Sequence, residues 1–187
     1  MRDRDLTEPR IEFVFGQVND QLKVELKAFW KQHGQDYQDE LRSFRVASRS
    51  HAAEQFGPPK RPILRQPAAV SRDQSGAING IVFVVLRELE TSLELGSHAY
   101  FQRMYIVPES RHCGLSNRLF REFLQGFDRE VEKRDHRAKV LLAENINPGL
   151  QKASMRRYFA NLGFQMLGGN RLGGEVWCKR LETRFCF

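Results

Sequence analysis

The chain has 187 residues, with 30 Lys+Arg against 23 Asp+Glu and a formal net charge of +7. That length suits one ordinary domain, long enough to bury a core without metal or disulfide help. A hydrophobic fraction of 41% excludes a wholly disordered chain. No apolar run reaches the ~18 residues of a membrane span, the charged opening Met1-Arg2-Asp3-Arg4-Asp5 does not read as a signal peptide, and three scattered cysteines fit a reducing cytoplasm.

In chain order, Ile11–Val18 alternates like a strand, with Phe13 and Phe15 on one face. Asn19 or Asp20 can cap a helix carrying Leu22, Leu26, Phe29 and Trp30 at helical spacing, and Gly34 offers it a stop. Asp36 begins a second helical pattern through Tyr37, Leu41 and Phe44. From Arg42 to Arg72 seven basic residues face one acid, Glu54, so this segment carries +6 of the +7. It also holds four of the seven prolines, and residues 57–67 read as an irregular loop. This basic, proline-rich loop, at about 55–75, is either a solvated connector or a contact for an anionic partner such as nucleic acid.

Ala77–Leu86 is a β-branched run that reads as a strand buried on both faces, and His98–Val107 is the next strand, stopped by Pro108. Leu115, Leu119, Phe120, Phe123, Leu124, Phe127 and Val131 form the clearest amphipathic helix. Lys139–Ala143 is a short strand, and Leu150–Leu162 a helix ending at Gly163. Phe164–Leu167 and Glu175–Leu181 form a hairpin across GGNRLGG. The order β-α-α-β-β-α-β-α-β-β implies a mixed α/β domain with helices packed on a central sheet.

The chemistry concentrates in YIVPESRHCGLSNRLF, residues 105–120. A strand ends at Pro108, a loop follows, and a helix begins at once. Free N–H groups of a helix's first turn point outward and the macrodipole favours negative charge there. Gly114 lets backbone approach a bulky polyanion closely, and Arg111, Arg118 and Arg121 add positive charge. A diphosphate is the ligand type this arrangement suits.

These residues resemble the acyl-CoA signature of the GNAT N-acetyltransferase superfamily: a strand, Val-x-Pro, then Gln/Arg-x-x-Gly-x-Gly/Ala and a helix. Arg111-x-x-Gly114-x-Ser116 stands three residues after Pro108. The later AENIN stretch (residues 143–147), a helix and Gly163-Phe164 also match the family's order. The resemblance spans residues 10–182 in element order, with its sharp motifs between 104 and 164. It implies one GNAT-like domain over residues 1–187, with a central, mostly antiparallel twisted sheet of about six to seven strands flanked by about four helices. It implies acetyl-CoA, or another acyl-CoA, as co-substrate and an amine as acceptor. Met104, Tyr105 and Ile106 would offer backbone groups to the pantetheine arm. The N–H groups of Arg111, His112, Cys113, Gly114, Leu115 and Ser116 would cradle the pyrophosphate, and Asn147 would touch the cofactor.

The family's pattern is departed from at three places. Ser116 stands where Gly or Ala is usual. The tyrosine that commonly serves as acid is here Phe159, with Tyr158 one residue earlier, about 100° around the helix. The base would be a strand carboxylate, for which Glu144 is the nearest candidate; Glu94 and His98 are weaker ones. The histidines lack metal-ligand spacing, so no metal is expected. Cys113, at a helix start among arginines, is either a reactive thiol or a bystander. The leading expectation is a cytoplasmic N-acetyltransferase, monomer or homodimer. The rival is a non-catalytic acyl-CoA-binding or nucleic-acid-associated module of the same fold.

Overall fold

In the computed structural model, residues 9–47, 64–89, 94–111, 114–170 and 173–182 are described. Seven strands form one sheet: β1 (Arg10–Phe13), β2 (Gln66–Arg72), β3 (Ile78–Glu88), β4 (His98–Ile106), β5 (Ala138–Asn145), β6 (Gln165–Gly169) and β7 (Glu175–Arg180). Their spatial order is β1-β2-β3-β4-β5-β7-β6, antiparallel at every junction except β4–β5. Three helices pack on it: α1 (Asp20–Ala47), α2 (Leu115–Arg129) and α3 (Ala153–Asn161). The parallel β4–β5 junction follows from the α2 crossover, since parallel neighbours cannot be joined by a tight turn.

The two faces of the sheet bury different side chains. Val82, Val84, Tyr100 and Ile106 join Leu119, Phe123 and Phe127 of α2 and Phe159 of α3. Val70, Ile81, Phe83 and Tyr105 pack with Leu22, Leu26, Phe29 and Tyr37 of α1 on the opposite face. β3 is therefore covered on both sides, as its continuous apolar run implies.

Four differences from the sequence reading have local causes. The first two helices are one. Gly34 lies in mid-helix with open space where a Cβ would be, and its helical cost of about 1 kcal/mol is small beside the stripe continuing from Phe29 through Tyr37 to Leu41. Asn19 is the cap: its Oδ1 accepts the Leu22 N–H at 2.8 Å. Residues 66–72 form β2 and not loop, because Pro67 sits at the strand's start beside a bulge between Pro67 and Ala69, where a missing donor is tolerated. β1 stops at Phe13, since Gly16 turns the chain at φ 67°. The helix read from Leu150 is a short 3₁₀ turn, Pro148–Gln151, then α3, with extended Lys152 between them. Among the described residues the flanking α-helices thus number three, against an expectation of about four.

Most of the basic loop, residues 48–63, lies outside the described residues. The described arginine side chains of that segment are engaged. Arg42 pairs with Asp39, and Arg72 with Glu12 and Glu25. The Arg65 guanidinium lies 5.5–6.0 Å from the ring centres of Trp30, Tyr37 and Phe83.

Candidate functional site

The site forms where the sheet divides. β4 and β5 pair from His98↔Ala138 to Gln102↔Ala143 and no further, although β4 continues to Ile106 and β5 to Asn145. Val107 donates its N–H to the Asn79 carbonyl on the β3 side, at 3.0 Å. Backbone groups alternate in direction along a strand, so those of Met104 and Ile106 face the open edge. The Arg111 Nε, donating to the Ile106 carbonyl at 2.8 Å, approaches from that edge. Tyr105 is turned the other way: its backbone faces β3 and its ring packs against Phe29 and Tyr37.

A cavity of about 370 Å³ passes through the division. Its walls come from both faces of the sheet: Tyr37, Leu41 and Phe44 of α1, and Asn117, Phe120 and Tyr158 of α2 and α3. That is possible because no backbone ladder closes the gap beyond Gln102. An adjoining cavity of about 350 Å³ follows the Met104–Ile106 edge to Gly114, Ser116 and Asn147.

At the end of this second cavity lies the first turn of α2. Gly114 is its N-cap, in the left-handed region at φ 72°, ψ 14°, and no side chain caps the helix. The first intrahelical donor is Arg118, to the Gly114 carbonyl at 3.0 Å. The N–H groups of Leu115, Ser116 and Asn117 are thus left for a ligand. A Cβ at Gly114 would meet nothing within 4 Å, so the space before these donors is open. The loop is anchored from behind by a buried chain: Ser71 donates to Asn79 at 2.7 Å, and Asn79 Nδ2 to Ser110 Oγ at 3.2 Å. His112 and Cys113 lie outside the described residues. Arg111 does not point its charge freely at the cavity: both its terminal nitrogens donate to Glu40 of α1, at 3.0 and 2.6 Å.

Asn147 lines both cavities, and its Oδ1 caps the 3₁₀ turn by accepting the Gly149 N–H at 2.8 Å. Tyr158 stands on the cavity wall, where its hydroxyl donates to Asn117 Oδ1 at 2.6 Å. Burial pushes this hydroxyl above the usual tyrosine range, and Arg121, 5.8 Å from the ring centre, offsets only part of the shift. Phe159 also reaches the cavity but is packed in the core, its ring stacked on Trp177. Glu144 lies in the cavity wall on the α1 face, its Oε2 accepting from Arg103, whose guanidinium also bonds the Glu144 carbonyl. His98 begins β4 at the far end of the strand and Glu94 precedes it; neither lines the cavity.

No family model and no curated protein matches the sequence. Solved structures match the fold. The chain is similar to yncA from Salmonella typhimurium, solved with its cofactor acetyl-CoA, at 14% identity over 97% of this chain and 98% of that one, with a TM-score of 0.51. It is similar to a GNAT-family acetyltransferase from Streptococcus pneumoniae at 12% identity over 93% and 100%, with a TM-score of 0.50. A GNAT superfamily phosphinothricin acetyltransferase from Sinorhizobium meliloti, solved with AcCoA, aligns at 18% identity over 63% of this chain and 61% of that one, with a TM-score of 0.44. The chain has the GNAT fold.

In this GNAT fold the residues read from sequence fall into two groups. Met104, Ile106, Gly114, Ser116 and Asn147 line one cavity, while the Leu115 side chain is buried in the core. Tyr158 and Glu144 stand on different walls, one toward α2 and the other toward α1. The sequence reading missed Gln102, Arg103, Asn117 and Asn145, all in the cavity wall. No motif marks them; Gln102, Arg103 and Asn145 are found by their place within two residues of the point where β4 and β5 part, and Asn117 by its place in the first turn of α2. Among the described residues no helix is long and apolar enough to cross a membrane, and no cluster of His, Cys, Asp and Glu could hold a metal ion.

Proposed function

We propose that the protein transfers an acyl group, most simply acetyl, from its CoA thioester to an amine. The observation that carries this is the cavity through the β4–β5 division, with the uncapped first turn of α2 at one end. A diphosphate suits the N–H groups of Leu115, Ser116 and Asn117, and an extended amide-bearing arm suits the outward N–H and C=O of Met104 and the N–H of Ile106. The passage through the sheet lets a second molecule reach the same point from the α1 side.

In the reaction the amine nitrogen attacks the thioester carbonyl carbon. An N–C bond forms, the C–S bond breaks, the nitrogen gives up one proton and the departing thiolate gains one. The Met104 N–H, on the outward edge of β4, would polarise the carbonyl oxygen. Tyr158 keeps its proton at neutral pH and is the hydroxyl available to the thiolate.

Calorimetry with acetyl-CoA and with CoA tests the reading, followed by acetyl transfer to a panel of amines. Binding of both is expected, and folded protein that binds neither at millimolar ligand overturns it. A second reading, a non-catalytic acyl-CoA-binding module, is favoured by two observations. Phe159 brings no hydroxyl to the position of the family's acid, and Glu144 is already engaged by Arg103. Acetyl-CoA binding without transfer to any amine selects that reading.

A further inference from the structure

Tyr158 does not stand where the family's acid does, yet its hydroxyl is held at the cavity wall. One residue along α3 is a turn of about 100°, and at that offset Phe159 is packed in the core with its ring on Trp177. The group that holds the Tyr158 hydroxyl comes from the other helix. Asn117, in the first turn of α2, accepts it at Oδ1, 2.6 Å away. The same Oδ1 accepts the Nε–H of Arg121, one helical turn further on, at 2.9 Å. An arginine only donates, so the Asn117 atom that it meets is the oxygen, and Tyr158, sharing that atom, is a donor too. The Arg121 guanidinium also lies 5.8 Å from the Tyr158 ring centre. Asn117 and Tyr158 both line the cavity, and Arg121 stands behind them.

Taking the acyltransfer reading as its basis, we infer that Asn117 is the positioning residue for Tyr158, and that Arg121 supports the charge Tyr158 acquires. A tyrosine alone on a cavity wall swings about two side-chain bonds. A tether at the hydroxyl fixes the oxygen and leaves the O–H free to turn about its C–O bond. In the step, the Tyr158 O–H bond breaks and an S–H bond forms on the departing thiolate. The phenolate left behind takes one proton from solvent, which balances the proton the amine released. Arg121 holds the Asn117 oxygen toward Tyr158, and its positive charge beside the ring favours the phenolate. Both mounting residues lie on one face of a regular helix, which places them more firmly than a loop does. An acid one residue from the family's position is in this way brought back to the cavity.

The test is a double-mutant cycle on the full chain with acetyl-CoA, read by release of the free CoA thiol. The acceptor probes are butylamine, 2-phenylethylamine, methionine and a peptide amino terminus, and the cycle uses the one turned over fastest. Asn117→Leu should lower kcat about tenfold, the loss of one hydrogen bond, with KM for acetyl-CoA within twofold because the backbone N–H stays in place. In a Tyr158→Phe background the same substitution should change kcat less than twofold, since the hydroxyl that Asn117 positions is gone. Asn117→Asp keeps an accepting oxygen and should recover part of kcat. Arg121→Met should lower kcat, again only while Tyr158 is present. If Asn117→Leu does not fold by thermal melt, Asn117→Ala carries the same comparison. An equal loss in both backgrounds overturns the inference, because the effect then does not run through Tyr158, and so does an unchanged kcat in Asn117→Leu. A wild type that binds acetyl-CoA but acetylates none of the probes overturns the acyltransfer reading itself, so the two failures are told apart.

Discussion

Gly114→Glu asks whether the first turn of α2 holds a diphosphate. At φ 72° a side chain costs roughly 1–2 kcal/mol, because its Cβ crowds the following carbonyl. No further steric cost is expected, since a Cβ there meets nothing within 4 Å. A carboxylate at a helix N-terminus returns about 0.3–1 kcal/mol through the macrodipole. The net loss is about 1 kcal/mol, a Tm drop of about 2–4 °C for a chain this size. The effect on a diphosphate is larger. A carboxylate about 4 Å from one phosphate charge is repelled by ~4 kcal/mol at an effective dielectric constant near 20, about three orders of magnitude in affinity. Gly114→Ala should lose far less, because it adds strain and a methyl group but no charge. The assay is acetyl-CoA calorimetry beside a thermal melt. Wild-type affinity in a folded Gly114→Glu variant would refute the placement of the diphosphate, as would an alanine variant that loses as much as the glutamate.

Three further outcomes are expected. Tyr158→Phe should lower kcat by about 10²–10⁴-fold while leaving acetyl-CoA affinity within twofold, and unchanged turnover removes Tyr158 as the acid. Gly126→Ala should cost about 1–3 kcal/mol in a denaturant titration, because its Cβ would fall on the Phe13 ring where α2 crosses β1; a silent substitution would show that this packing is loose. Acid should destabilise the protein. Hydrogen bonds from Gln21 and Arg72 lower the Glu25 carboxyl, and those from Ser75 and the Ala77 N–H lower Asp73. A lowered folded value means the folded state binds fewer protons, so this stability is present above the ordinary carboxylate range, about pH 4, and lost as pH falls below it. Melts from pH 7 to pH 3 should show Tm falling, and Asp73→Asn should flatten part of the slope; a level Tm would contradict these hydrogen bonds.

The sequence revealed those parts of the molecule whose structure is locally determined. β3, β4 and α2 carry long, regular apolar patterns, and each forms within two residues of where its pattern places it. The α2 loop was legible because strand, proline, glycine and helix follow one another within twelve residues. β2 was hidden by Pro67, whose local preference for a loop is overridden by pairing with β3. The split of α1 at Gly34 came from weighing one residue's propensity against a stripe that runs past it. On the α1 side of the cavity Glu144 and the Tyr37–Leu41–Phe44 pattern were legible, but the pairings that hold that side were not. Glu40 meets Arg111 across 71 positions and Arg103 meets Glu144 across 41, and nothing local in either partner announces the other.

Those long-range pairs also explain how the sheet stays open. Beyond Gln102 and Ala143 the strands exchange no backbone hydrogen bonds, so something else must hold the walls. Arg103–Glu144 ties β4 to β5, Arg111–Glu40 ties the β4–α2 loop to α1, and Arg156–Glu175 ties α3 to β7. The first two join elements around the cavity, and each of the three cancels one positive charge with one negative charge. Side-chain charge in these pairs therefore sums to zero, although the whole chain carries +7. An anion drawn to this site answers chiefly to the backbone donors of α2, at one end of the passage, while the α1 side lies at the other. A thioester arm entering from one end and an acceptor entering from the other would meet between them, at the parting of β4 and β5.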